Sequence, residues 1–73
     1  MRTLAELQPD QDAEIASLEG PRPFVRRLMS LGVSPGSRLK VVRFAPLGDP
    51  IQVSVGNVHL SIRRNEARQV RLH

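Results

Sequence analysis

The 73-residue sequence contains no cysteine, no tryptophan and no tyrosine, and Phe24 and Phe44 are its only aromatic residues. Without cysteine there is neither a disulfide framework nor a thiolate metal site. Two phenylalanines are too few to stack bases, which oligonucleotide-binding folds do at about 1–3 kcal/mol per base. They are also too few for the aromatic grooves that read proline-rich peptides. The composition therefore argues against a nucleic-acid-binding barrel, which charge alone would suggest. No stretch approaches the ~20 apolar residues of a membrane span. Met1-Arg2-Thr3-Leu4 does not lead into the apolar region of a secretory signal. A cytoplasmic chain that does not span the membrane is expected.

Acidic residues are scarce in the second half. Residues 38–73 hold seven Lys/Arg against two Asp/Glu, whereas residues 1–37 hold four Arg against five Asp/Glu. Lysine is nearly absent too, with Lys40 alone beside ten arginines. A planar, always-charged guanidinium favours contact with carboxylate or phosphate. An ordinary solvated surface is the plainer reading of the same charges.

What remains is an aliphatic, Val-, Leu- and Ile-rich chain of one domain, residues 1–73, near the lower size limit for a single apolar core. Thr3 is placed to cap a short turn through Leu7, which Pro9 halts. Residues 13–18 read as a first strand. Gly20-Pro21-Arg22-Pro23 stops it and starts a helix, because proline is tolerated in a first helical turn. Phe24, Leu28 and Leu31 recur at i, i+4 and i+7, which predicts a helix over 23–31 with those three on its buried face. Gly32 follows as the left-handed terminator, and Pro35-Gly36 as a tight turn.

Residues 38–44 alternate, then slip by one residue near Val41-Val42, which predicts a β-bulge. Ile51, Val53 and Val55 alternate with polar residues, as do Val58, Leu60 and Ile62, on either side of Gly56-Asn57. A two-residue turn with glycine first suits type II′ and sets Val55 opposite Val58, Val53 opposite Leu60 and Ile51 opposite Ile62. Residues 63–67 suit a single 3₁₀-type turn before a final strand at 69–72. The pattern predicts a mainly β fold: a small SH3-like barrel of about five strands, with one helix inserted after the first. A barrel edge left open would allow weak self-association.

No catalytic constellation emerges. His59 lies near Ser54 and Ser61 on the polar face of the hairpin, as on any solvated strand, and His73 is terminal. His59, His73, Asp49 and Glu66 match no compact ligand spacing, so neither a metal site nor a cofactor is expected. The loop Ala45-Pro46-Leu47-Gly48-Asp49-Pro50 lacks the Lys-Ser/Thr of a nucleotide loop. It does carry an apolar Leu47 at its stiff tip, either as a lid folded back on the barrel or as a rigid contact presented to a partner. Arg26, Arg27, Arg63 and Arg64 are candidates for a basic surface.

Three stretches in order, Arg27-Leu28-x-x-Leu31-Gly32-x-x-Pro35-Gly36, then Ala45-Pro46-Leu47-Gly48-Asp49-Pro50-Ile51, then Leu60-x-Ile62-Arg63-Arg64-x-Glu66-Ala67, resemble the FeoA family across essentially the whole chain. One departure is Pro9-Asp10, where the family usually has Pro-Gly. The resemblance implies an SH3-like barrel and a cytosolic accessory of ferrous iron transport. Its expected partner is FeoB, a membrane permease with a cytosolic GTPase domain, which would hold the protein at the inner membrane. The family also resembles the C-terminal barrel of iron-dependent repressors, a regulatory alternative, but no helix-turn-helix is present here. Leu47 and Asp49 are the expected partner contacts, with Arg26 and Arg27 behind them.

Overall fold

A computed structural model describes residues 2–73. Five strands form one antiparallel sheet: β1 (Asp12–Leu18), β2 (Arg38–Phe44), β3 (Ile51–Val55), β4 (Val58–Ile62) and β5 (Val70–Leu72), in the order β4-β3-β2-β1-β5. Helix α1 (Arg22–Ser30) is inserted after β1, and a one-turn helix α2 (Arg64–Ala67) joins β4 to β5.

The sheet curls because β1 serves two neighbours. Its first half, Asp12 to Glu14, pairs with β2, and its second half, Ile15 to Leu18, pairs with β5 across a register shift between Ile15 and Ser17. A strand that changes partners at an irregularity turns a barrel corner. The predicted bulge in β2 is present: Val41 pairs with Val53 and Arg43 with Gln52, leaving Val42 as the extra residue. The hairpin register is also as predicted, with Ile51↔Ile62, Val53↔Leu60 and Val55↔Val58. Among the two turn residues the positive φ falls on Gly56, as type II′ requires.

Inside the curl sit Leu4, Leu7, Ala13, Ile15, Phe24, Leu28, Val33, Leu39, Val41, Ile51, Val53, Val55, Ile62, Ala67, Val70 and Leu72, with no buried polar or charged residue among those described. The N-terminal Leu4–Glu6 turn contributes Leu4 to this core. Thr3 and Glu6 form a capping box at this turn: the backbone N–H of Thr3 donates to the Glu6 carboxylate at 2.9 Å, and the Thr3 hydroxyl lies 3.4 Å from the same oxygen.

Two expectations need correction. Leu31 lies outside α1 and is 41% exposed. The chain leaves the helix through Gly32 at φ +88°, with Gly32 N–H donating to Met29 O at 3.0 Å and Val33 N–H to Leu28 O at 2.9 Å. These two reversed bonds are a Schellman termination, which brings the residue after glycine back over the last turn. Val33, fully buried, takes the core place assigned to Leu31. The second correction concerns residues 64–67, which form one α-helical rather than 3₁₀ turn, with Ala67 N–H bonded to Arg63 O at 2.8 Å.

Candidate functional site

The loop between β2 and β3 begins as a reversal with one strained position. Ala45 N–H donates to Pro50 O at 3.0 Å, and Gly48 N–H to Ala45 O at 2.8 Å. Pro46 fills the second place of that turn, where its fixed φ is pre-set, and Leu47 fills the third with φ +70° and ψ +7°. Glycine or asparagine is the usual residue for such a φ. Gly48 follows at φ +85°, and the Asp49–Pro50 peptide is cis. The Leu47 side chain is 104% exposed, so it does not fold back as a lid.

A second segment holds the loop from outside. Arg64, at the start of α2, donates from Nε to Gly48 O at 2.6 Å, and its guanidinium stands over the Phe44 ring with Cζ 4.4 Å from the centroid. The Arg64 backbone N–H donates to Asp49 Oδ1 at 3.1 Å. A helix's first N–H groups have no partner within the helix, so the Asp49 carboxylate caps α2 from across the loop. The half-buried Arg64 is thus a brace rather than part of a solvated basic surface.

Glu66 extends the same hub toward α1. Its Oε1 accepts from the Arg63 backbone N–H at 3.2 Å and lies 3.4 Å from Arg27 Nη2. Arg27 also lies over the Phe24 ring, 5.7 Å from the centroid. Of the predicted contact residues, Leu47 and Asp49 share the loop, and Arg27 reaches it only through α2. Arg26 points outward on α1 beside Arg22, Pro23 and Ser30.

Arg64 was legible as a charge but not as a strut. Its two acceptors lie 15 and 16 residues away, and no local pattern ties them to it. The only hint was that the loop and the Arg63-Arg64 stretch both belong to the family resemblance.

His59 faces Ser54 directly across β3 and β4, but no side-chain hydrogen bond joins them among the described residues. A shallow cleft beside the bulged Val42 runs past His59 and Ser61. His73 Nε2 lies 3.8 Å from Glu14 Oε2. Among the described residues no three His, Asp or Glu side chains gather closely enough to hold a metal ion. What the arrangement presents is one exposed apolar side chain, Leu47, on a loop braced by Arg64.

A model of the FeoA domain matches residues 2–73. An Fe(2+) transport protein A/Fe(2+) transporter FeoB fusion protein of Porphyromonas gingivalis is 33% identical over 67 residues, which are 92% of this chain and 8% of the relative. The chain thus spans a small fraction of that protein's length. The solution structure of the FeoA protein of Chlorobium tepidum superposes with a TM-score of 0.94 at 46% identity, covering 99% of this chain and 69% of that one. Stenotrophomonas maltophilia FeoA, solved with zinc and described as a prokaryotic SH3 domain protein, matches with a TM-score of 0.85 at 30% identity over 100% of this chain and 91% of its own. A match over nearly every residue, with the same SH3-like barrel, leaves one conclusion: the chain belongs to the FeoA family.

Proposed function

We propose that this domain is a non-catalytic accessory of ferrous iron transport that docks on a FeoB-type membrane GTPase-permease at its cytosolic face, with Leu47 as the anchoring side chain. The observation that carries this reading is the loop itself: a fully exposed leucine in a left-handed backbone, held there by Arg64. A solvated loop gains nothing from such an arrangement. A contact gains twice, because burying a leucine is worth about 1.5–3 kcal/mol and a loop already ordered has less freedom to lose. The Porphyromonas relative supports the choice of partner, since there a matching domain is joined in one chain to an Fe(2+) transporter. Asp49 acts through the loop by capping α2, and Arg27 is tied to the same short helix through Glu66.

The test is capture of the permease from detergent extracts by the wild-type domain and by Leu47→Asp. The reading expects capture to fall at least tenfold with the far-ultraviolet spectrum and thermal midpoint of the domain preserved. Undiminished capture by a folded Leu47→Asp variant would remove the loop from the interface.

A further inference from the structure

The outward face of α1 is unusual in its charge. Arg22, Arg26 and Met29 recur at i, i+4 and i+7, which stacks them in one exposed stripe, with Arg27 and Ser30 beside it. Met29 is 52% exposed. No Asp or Glu occurs from residue 20 to residue 48, a stretch that holds Arg22, Arg26, Arg27, Arg38, Lys40 and Arg43. Arg27 has Glu66 at 3.4 Å, whereas among the described residues neither Arg22 nor Arg26 has a hydrogen bond or ion pair. Arg22, Pro23, Arg26, Arg27 and Ser30 line a shallow depression on this face.

We propose that this face of α1 rests on an anionic phospholipid leaflet, with Arg22 and Arg26 against lipid phosphates and Met29 in the headgroup boundary. Charge complementarity selects the sign of the partner, and the lack of bracing selects its kind. The Leu47 loop is fixed by bonds from a second segment, as a specific protein contact requires. Arg22 and Arg26 have no such bond among the described residues, which suits a fluid array of phosphates that needs no register. The apolar face of α1, Phe24 and Leu28, is committed to the core, so the outward arginines supply the attraction and Met29 is the exposed apolar side chain among them. Position agrees as well, since α2 touches both α1, through Glu66, and the loop, through Arg64. A partner in the membrane that holds Leu47 therefore holds α1 nearby. The inference draws on the transport reading only for the presence of a bilayer.

The contact is weak by design of its parts. Each basic residue near an anionic leaflet is worth about fivefold in binding, and the effect falls off within a Debye length. The experiment is sedimentation of the full chain with phosphatidylcholine vesicles and with equimolar phosphatidylcholine/phosphatidylglycerol vesicles at millimolar lipid, at low and physiological salt. The proposal expects retention on the anionic vesicles only. It expects Arg22→Gln/Arg26→Gln to weaken it about 25-fold, and Met29→Ser to weaken it at unchanged charge. The control is Lys40→Gln/Arg43→Gln, which removes the same charge from β2 and should weaken retention far less. Equal losses from the two pairs, equal binding to both vesicle types, or displacement by soluble polyglutamate at matched charge concentration would each overturn it. The vesicle result is independent of permease capture, so either reading can fail while the other stands.

Discussion

A leucine at φ +70° places its Cβ against the following carbonyl, a conformation that costs L-residues roughly 1–2 kcal/mol. With its side chain in water, Leu47 recovers none of this by burial. Replacing it by glycine removes the clash but frees the unfolded chain, which returns roughly 0.5–1 kcal/mol of the gain. Leu47→Gly is therefore expected to stabilise the domain by about 0.5–1 kcal/mol, read as a higher urea midpoint at unchanged slope. The same variant is expected to lose permease capture. Stability rising while binding falls is the signature of strain kept for function. A loop serving only the fold would show the first change without the second. Asp10 offers an instructive comparison, being the other non-glycine residue at positive φ among those described, at +71°. It stands where the family resemblance calls for glycine, and aspartate tolerates the left-handed region better than most residues. The departure visible in the sequence is thus a substitution that this backbone accepts.

At the scale of elements, the β-hairpin and the β2 bulge were readable because their information is local. Strict alternation on both sides of Gly56-Asn57 leaves one register, since a slip of one residue exposes every apolar side chain. Leu31 was misplaced because a helical wheel assumes that the helix continues, and the Schellman bonds of Gly32 and Val33 end it first. The candidate site was half legible. Leu47 stood out as an apolar residue in a stiff turn, but its bracing by α2 joins segments that no pattern in the chain connects. That bracing makes a specific prediction. Arg64→Ala removes a charged hydrogen bond to Gly48 O and a stacking contact with Phe44, together worth about 2–3 kcal/mol. It should also speed hydrogen exchange at the Gly48 amide, which now donates to Ala45 O. Arg64→Lys keeps the charge but not the planar fork, so it should restore little of either. Permease capture should weaken in both variants through faster dissociation, because the leucine remains and only its pre-organisation is lost. Unchanged exchange at Gly48 in Arg64→Ala would mean that Pro46 and the turn bond hold the loop unaided.

The whole molecule sets two surfaces around one small core. Among the described residues the interior is apolar, aliphatic but for Phe24, and no charged side chain is buried, so the imbalance between residues 1–37 and 38–73 is a surface property from the start. Composition showed that imbalance but not where it gathers, because the face of α1 belongs to the first, nominally acidic stretch and its neighbour Glu66 to the second. With the loop and α1 both reached from α2, the two proposals together have one domain bind a membrane permease and its surrounding lipid at once. Two weak contacts on one rigid body reinforce each other, because the first raises the effective concentration of the second. This predicts a dependence on the bilayer that neither contact shows alone. Toward permease in anionic nanodiscs, Arg22→Gln/Arg26→Gln should lose about 10-fold or more in affinity, against less than about 2-fold in zwitterionic nanodiscs or detergent. Leu47→Asp should lose binding in all three. If the arginine pair instead weakened binding equally in detergent and in anionic discs, those arginines would be contacting the permease itself, and the loop and helix would form one protein interface rather than two different ones.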